Sequence, residues 1–166
     1  MKITKTKLDG VLLIQPRVFV DQRGYFFEAF NGDYNFKSAQ SNVSVSGKSI
    51  VRGLHGQRKK PQAKLITVLD GHIFDVVVNL KTGKWIGNNL GPNNQILIPP
   101  GYLHGFFTTT DKAIIEYKCS EKYDPKDEIG VIWNDKDLAI EWPAPHPRVS
   151  VKDSKLPTWW KVLQTL

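Results

Sequence analysis

The sequence predicts an all-β protein built as an antiparallel sandwich or barrel. Many short runs of β-type residues lie close together along the chain, and the 13 glycines and 10 prolines among them mark turns. Long segments with the 3.6-residue period of an amphipathic helix are missing. At 166 residues the chain is long enough to bury a core, so we expect a single domain over residues 1–166.

The strands are predicted where apolar, β-branched or aromatic residues are bounded by turn signals. In chain order they are Val11–Ile14, Gly24–Ala29, Lys64–Leu69, His72–Val78, Gln95–Ile98, His104–Thr109 and Ala113–Cys119. We expect only a few short helices at the periphery, including one after Pro157 that runs through Trp159–Leu163. The segment Phe30–Ser38 is ambiguous between the two kinds of element.

Asp70-Gly71 lies between two alternating runs, which is a strong signal for a two-residue hairpin turn. Such a turn pairs Val68 with Ile73, and the period of two then defines one face. That face carries Lys64, Ile66, Val68, Ile73, Asp75 and Val77. If it lines the barrel, its lysine and aspartate have to be paired, because buried charges are costly. A surface pair at the edge of the sheet is the alternative.

The last predicted strand places Ile115, Tyr117 and Cys119 on one face and Ile114, Glu116 and Lys118 on the other. Tyr117 therefore points inward, where its hydroxyl needs a hydrogen-bond partner. The pattern alone leaves open whether this tyrosine is structural or catalytic. Cys119 is the only cysteine, so a disulfide framework is excluded, and we expect it to pack as a small apolar residue.

The net charge of +7, from 23 Lys and Arg against 16 Asp and Glu, favours anionic partners, although it could serve solubility alone. The densest basic cluster, Arg58-Lys59-Lys60, has no RNA-binding aromatic motif beside it, so a compact anion such as a diphosphate fits better than nucleic acid. No apolar run approaches a membrane span, and the apolar stretch after the basic start is too short for a secretory signal. We expect a cytoplasmic protein with no membrane partner.

Two of the four histidines lie in motifs. His55 follows Arg52-Gly53-Leu54, and His104 ends Pro99-Pro100-Gly101-Tyr102-Leu103-His104, which resembles the later motif of the cupin superfamily. Metal-binding cupins also need an earlier His-x-His and a carboxylate, but Gly53 and Gln57 flank His55 here. Two histidines without a third strong ligand make a poor metal site, so we expect acid–base histidines and no metal. His72 and His146 are predicted to be surface residues.

Further motifs recur in a fixed order along the chain. They are Asp21-Gln22-Arg23-Gly24, Phe27-Glu28, Arg52-Gly53-Leu54-His55, Lys64-Leu65, Phe74-Asp75-Val76, His104-Gly105-Phe106, Tyr117-Lys118-Cys119, Trp133-Asn134-Asp135 and Ile140-Glu141-Trp142-Pro143. From about Gly10 to Asp153 the chain resembles the dTDP-4-dehydrorhamnose 3,5-epimerase family. The resemblance implies a cupin-like jelly-roll barrel and a homodimer whose N-terminal segments add to the partner's sheet. It also implies inversion at C3, at C5 or at both carbons of a dTDP-linked 4-keto-6-deoxy sugar, without a metal or redox cofactor.

The same resemblance implies roles for individual residues. His55 matches the general base, Asp153 the aspartate that orients it, Tyr117 the proton donor and Lys64 the lysine near the C4 oxygen. Further residues match positions that bind the nucleotide sugar. They are Arg23, Glu28, Gln40, Asn42, Arg52, His104, Glu128 and Lys152.

The chain departs from the family pattern at Gly56, where an aromatic residue commonly follows the histidine, and at Ser41, where many members carry an aspartate. These departures leave the nucleotide and the number of inverted centres open. The alternatives are a single-centre epimerase or a ketoisomerase acting on another nucleotide-linked keto sugar, such as a GDP- or CDP-sugar. A metal-dependent cupin and a non-catalytic binder of sugars or nucleic acid are further alternatives.

Overall fold

A computed structural model describes residues 1–32, 34 and 36–166, and within these ranges nearly all of the regular secondary structure is β-strand. Its strands are β1 (Lys2–Lys5), β2 (Leu12–Gln15), β3 (Val18–Asp21), β4 (Gly24–Phe27), β5 (Gln40–Gly47), β6 (Val51–Gln57), β7 (Lys64–Asp70), β8 (Ile73–Asn79), β9 (Trp85–Leu90), β10 (Gln95–Ile98), β11 (Tyr102–Thr108), β12 (Lys112–Cys119) and β13 (Glu128–Gly130). A 3-10 turn at Asp153–Lys155 and one short helix, α1 (Trp159–Leu163), follow them. Within the described residues, neither of these helical segments could span a lipid bilayer.

The strands form two large antiparallel sheets and a small hairpin. The six-stranded sheet has the order β1-β2-β10-β7-β12-β5, the five-stranded sheet has the order β13-β6-β11-β8-β9, and β3 pairs only with β4. The inner faces of the two large sheets share one core, in which Ile66 and Ile115 from one sheet meet Ile73 and Phe106 from the other. The antiparallel all-β fold predicted from the sequence is therefore confirmed.

The outer face of the five-stranded sheet is covered by the C-terminal part of the chain. Val76, Leu103 and Leu138 pack there with Trp159 and Val162 of α1, which confirms the predicted helix. Hydrogen bonds fix this cover, since the Trp159 indole donates to the Leu80 carbonyl at 2.9 Å. This packing holds the segment before α1, which contains the 3-10 turn, against the end of the barrel.

The predicted hairpin at Asp70-Gly71 is wrong. β7 pairs with β10 and β12, whereas β8 pairs with β9 and β11, so the turn carries the chain from one sheet to the other. Gly71 has φ +74°, and a Cβ there would lie 2.0 Å from the Lys112 carbonyl oxygen, so the corner requires glycine. The side chains assigned to one face still meet, because the inner faces of β7 and β8 oppose each other across the barrel.

The predicted pairing of Lys64 with Asp75 is also wrong. Asp75 is fully buried and bonds to His104, while the Lys64 ammonium donates to the His55 carbonyl oxygen. The expected inward orientation of Tyr117 is confirmed, because its ring packs on the shared core. Cys119 is buried, and His72 and His146 are exposed, as predicted.

Several strands were not predicted from the sequence, namely β1, β3, β5, β6, β9 and β13. β5 reads Gln-Ser-Asn-Val-Ser-Val-Ser-Gly and β6 contains two glycines, so both lack the apolar, β-branched character of typical strands. Phe30–Ser38 lies outside the strands and helices in its described residues, while positions 33 and 35 of this segment fall outside the description.

β6 and β11 approach each other unusually closely beside the two motif histidines. His104 lies opposite His55, and the register shifts between His104 and Phe106. At Gly53, with φ +123°, a Cβ would lie 2.6 Å from the Gly105 Cα and 2.8 Å from the His104 carbonyl oxygen. Two glycines therefore allow a backbone contact that no pair of larger residues could make.

We expect Gly53→Ala to lower the free energy of unfolding by about 2 kcal/mol or more, because overpacking adds to the unfavourable φ. Gly101→Ala is the matched control: Gly101 has φ +92°, but its Cβ would meet nothing within 4 Å, so about 1 kcal/mol is expected there. Urea denaturation of both variants measures the difference. Equal losses would contradict the close-contact explanation.

Candidate active site

A cavity of about 660 Å³ opens between the two sheets at the end of the barrel where the C-terminal segment returns. Its walls come from β5, β7 and β12 on one side, from β6 and β11 on the other, and from residues 148–153. Most of the residues singled out in the sequence meet here. They are Asn42, Arg52, His55, Lys64, His104, Tyr117, Lys152 and Asp153.

His55 and Asp153 form a hydrogen-bonded pair in this cavity. The His55 Nε2 lies 2.9 Å from the Asp153 Oδ1, and the second carboxylate oxygen accepts the Gly53 N–H at 3.2 Å. Burial alone would raise the pKa of Asp153, but the hydrogen bonds from His55, Gly53 and Ser150 outweigh it and hold that pKa below its ordinary value. An ionised carboxylate on Nε2 leaves the other ring nitrogen of neutral His55 as the proton acceptor.

Tyr117 approaches the same cavity from the opposite sheet. Its ring packs edge-on to His104 and against Phe106, and its hydroxyl lies 3.0 Å from the Ser44 Oγ. Burial raises the pKa of Tyr117 to about 12, although the Ser44 hydrogen bond and the Arg52 charge act in the other direction. The phenol is therefore protonated throughout the neutral range, which suits a proton donor.

Lys64 begins β7 and places its ammonium group beside the backbone of β6. The Nζ donates to the His55 carbonyl oxygen at 3.2 Å. Burial lowers the pKa of Lys64, and only weaker attractions to Cys119, Glu128 and Asp75 oppose that shift. A cationic donor in this enclosed position can stabilise negative charge that develops on a bound ligand.

His104 forms a second histidine–aspartate pair. Its Nε2 lies 2.7 Å from the Asp75 Oδ2, and both side chains are almost completely buried, with exposed fractions of 4% and 0%. The sequence motif singled out His104 but assigned no role to Asp75 as its partner. The alternating pattern of β8 placed Asp75 on the inner face, and that was the available signal.

Cationic groups dominate the walls of the cavity. Among the residues that the structure describes, Arg52, Lys64, Arg148 and Lys152 line it, against the single carboxylate of Asp153. Arg52 is held by a 2.9 Å hydrogen bond from its Nε to the Ser46 Oγ. Arg148 was not predicted, because it lies in an irregular segment that only the fold brings back to the barrel. The cavity is suited to an anionic ligand.

A smaller cavity of about 310 Å³ adjoins the first and shares Asn42, His55, Lys64 and Tyr117 with it. Gln40 and Glu128, two other predicted residues, line this second space. Glu128 accepts hydrogen bonds from the Lys152 ammonium and from the Tyr123 hydroxyl. Tyr123 was not predicted as a site residue. It lines the smaller cavity, where its hydroxyl bonds to Glu128 beside the Glu128–Lys152 ion pair.

Arg23 and Glu28 lie away from both cavities of their own chain. Arg23 stands at the tip of the β3–β4 hairpin, where its side chain is 83% exposed and pairs with Asp21. Glu28 is exposed beyond the end of β4.

Neither motif histidine belongs to a ligand cluster. Residues 1–32, 34 and 36–166 contain no group of three or more His, Cys, Asp or Glu side chains that could hold a metal ion. Each imidazole instead bonds to a carboxylate of its own, His55 to Asp153 and His104 to Asp75.

A cupin-like protein with a histidine–aspartate pair in a basic cavity is the class that this barrel defines. Comparison with known proteins narrows the class. The model of the family described as dTDP-4-dehydrorhamnose 3,5-epimerase matches residues 5–161, so the chain belongs to that family.

Individual relatives agree with this assignment. The dTDP-4-dehydrorhamnose 3,5-epimerase of Methanothermobacter thermautotrophicus is 42% identical over 155 residues, which cover 86% of this chain and 84% of the relative. A crystal structure of the Legionella pneumophila dTDP-6-deoxy-D-glucose-3,5-epimerase with dTDP-4-keto-L-rhamnose matches with a TM-score of 0.91 and 34% identity over 95% of this chain and 92% of that one. A crystal structure of a 3'-monoepimerase of Streptomyces bikiniensis in complex with dTDP-quinovose matches with a TM-score of 0.90 and 30% identity. The match covers 96% of this chain and 89% of that one.

The buried phenol of Tyr117 predicts a specific loss of stability at high pH. Its pKa is raised from 10 to about 12 in the folded protein, so its contribution is present below pH 10 and is lost as pH rises toward 12. At pH 11 this loss amounts to roughly 1 kcal/mol. Urea denaturation at pH 8 and pH 11 should therefore show a smaller loss for Tyr117→Phe than for the wild type. An identical loss in both would contradict the raised pKa.

Proposed function

We propose that this protein inverts C3 and C5 of dTDP-4-dehydro-6-deoxyglucose to give dTDP-4-dehydrorhamnose, in deoxysugar biosynthesis. The observation that carries the proposal is that His55, bonded to Asp153, and Tyr117 line one cavity from opposite sheets. Such an arrangement allows a proton to leave one face of a sugar ring while another arrives at the opposite face. The keto sugar bound to the Legionella relative supports this choice of substrate.

The reaction needs a base of suitable strength. The protons at C3 and C5 are acidified because each carbon is adjacent to the C4 ketone, and removal of either gives an enolate. Imidazole is the side chain most often used as a general base near neutral pH, so His55 is suited to take that proton. Asp153 orients the ring and stabilises the imidazolium that forms.

Return of a proton to the opposite face completes the inversion. The protonated phenol of Tyr117 acts as the acid there, and its Ser44 partner holds the hydroxyl in place. The enolate oxygen at C4 is stabilised by the Lys64 ammonium, in an enclosed site where such an interaction is strong. The step exchanges only protons, so the proposed reaction requires neither a metal nor a redox cofactor.

The remaining predicted residues act in binding. Arg52 and Lys152 contact the diphosphate, because arginine and lysine provide charge-assisted hydrogen bonds to phosphate oxygens. Gln40, Asn42 and Glu128 extend the site into the adjoining cavity, and His104 contacts the nucleotide sugar from β11. The single domain over residues 1–166 and the cytoplasmic location stay predictions.

A single-centre epimerase is the second candidate, and the match to the Streptomyces 3'-monoepimerase favours keeping it. The same acid–base pair serves both enzymes, because a single-centre epimerase carries out one of the two inversions that a 3,5-epimerase carries out. The two candidates differ in how many carbons exchange their proton, which an isotope experiment counts directly.

We further propose a homodimer in which the N-terminal hairpin joins the partner subunit. β3 and β4 form an isolated pair whose Val20 and Phe26 are 79% and 65% exposed. β5 is the outer strand of the six-stranded sheet and exposes Val43 and Val45. A partner that buries these surfaces would also explain why Arg23 and Glu28 lie away from their own cavity: each would serve the other subunit's site.

Incubation with dTDP-4-dehydro-6-deoxyglucose in deuterated water, followed by NMR, tests the reaction. We expect the wild type to incorporate deuterium at both C3 and C5, His55→Ala to lose at least about 100-fold in rate at both, and Tyr117→Phe to exchange protons without inversion. His72→Ala and Tyr102→Phe change the same residue types outside the cavity and should behave as the wild type.

Exchange at one carbon alone would favour the single-centre enzyme. Exchange at neither carbon would exclude both candidates, and wild-type rates in His55→Ala would exclude the base.

Subunit complementation tests the shared site. Arg23→Ala and His55→Ala proteins should each be nearly inactive, but mixed dimers contain one site free of both substitutions, so a refolded equimolar mixture should regain about a quarter of wild-type activity. A mixture of His55→Ala with Tyr117→Phe is the control, since each of its sites keeps one lesion and no recovery is expected. Failure of the first mixture to recover, or a monomeric mass by sedimentation, would exclude the shared-site dimer.

A further inference from the structure

A row of polar side chains crosses the inner face of the five-stranded sheet. The register places Asn88 of β9 directly opposite Asp75 of β8, and His104 of β11 directly opposite His55 of β6. The Asp75 Oδ2 and the His104 Nε2, 2.7 Å apart, connect the two halves of this row. The row therefore leads from an edge strand of the sheet to the wall of the cavity.

The Asp75 carboxylate is only half satisfied by this contact. Asp75 is 0% exposed, and its second oxygen, Oδ1, has no hydrogen-bond partner among the residues that the structure describes. A buried carboxylate oxygen without a donor is costly, because desolvation is not offset. The site therefore lacks one donor at the Asp75 Oδ1.

Asn88 has the complementary deficiency. Its amide nitrogen, Nδ2, is enclosed and likewise has no partner within the described chain. Directly opposed residues in an antiparallel pair share a face and have Cβ atoms about 4.5–5.5 Å apart. An enclosed donor thus lies on the strand next to an enclosed acceptor, within reach of one hydrogen bond or of one bridging water.

We propose that Asn88 is a positioning residue that acts through Asp75 on His104. Its amide donates to the Asp75 Oδ1, directly or through one bridging water, which keeps the carboxylate aligned, and Asp75 in turn accepts the proton of the His104 Nε2. His104 is thereby held in one tautomer, with Nδ1 left to accept a hydrogen bond from a ligand. The inference rests on the proposed function only for the identity of that ligand.

The tautomer of His104 is measured without substrate, by long-range ¹H–¹⁵N NMR of the imidazoles, with the His104 signals assigned from a His104→Gln sample. The wild type should carry its proton on Nε2. Asn88→Leu, which keeps the shape of the side chain but removes the donor, should populate the other tautomer and lower kcat/KM by about 10-fold. Asn89→Leu is the matched control, because Asn89 is exposed on the opposite face of β9.

If Asn88→Leu does not fold, Asn88→Ala removes the same donor and leaves a smaller side chain. It should shift the His104 tautomer and lower kcat/KM in the same way. A wild-type proton on Nδ1 would overturn the proposal, as would Asn88 variants with unchanged His104 signals, whatever their activity. Because these signals need no turnover, they test the positioning role even if the deuterium experiment excludes the proposed reaction.

Discussion

The carboxylate of Asp153 is the group on which the geometry of the site depends. One of its oxygens bonds to the His55 imidazole, and the other accepts the backbone N–H of Gly53, two residues earlier on the same strand. A residue near the end of the chain therefore holds both the ring and the backbone of β6. Gly53 presents that N–H with a φ of +123°, and at the same residue the backbone lies in close contact with Gly105. The backbone contact and the histidine pair therefore meet within three residues of β6.

The interior of the barrel is divided between an apolar core and a polar end. Ile66, Ile73 and Ile115 fill the middle, while the cavity end contains two histidines, two aspartates and Lys64. Buried ionisable groups stabilise a fold poorly unless each is paired, and here each aspartate has a histidine partner. Their concentration at one end indicates a functional rather than a structural origin.

The sequence predicted the strands that carry apolar alternation, such as β7, β8 and β12, to within one or two residues at their ends. It missed β5 and β6, although these strands carry Asn42 and His55, because their serines and glycines are suited to a cavity wall and not to a core. The Asp70-Gly71 signal was strong locally, but a tight turn serves a sheet-to-sheet corner as well as a hairpin. The choice depends on the partner strands β10 and β11, which lie far away in the chain. The pairing of His55 with Asp153 was predicted only from the family resemblance. The two residues are 98 positions apart, so no local sequence pattern could indicate that they meet.

Lys152 and Asp153 are neighbours in the chain, yet one faces the basic cavity and ion-pairs with Glu128 while the other holds His55. A single insertion or deletion between Arg148 and Lys152 would displace both residues together. The Lys152–Glu128 ion pair and the His55–Asp153 pair are therefore coupled through the length of this segment, and a change of length cannot move one without moving the other. Gln40 and Asn42 of β5 belong to neither pair, so substitutions there would reshape the wall of the adjoining cavity while the length of the segment, and with it both pairs, stays as it is.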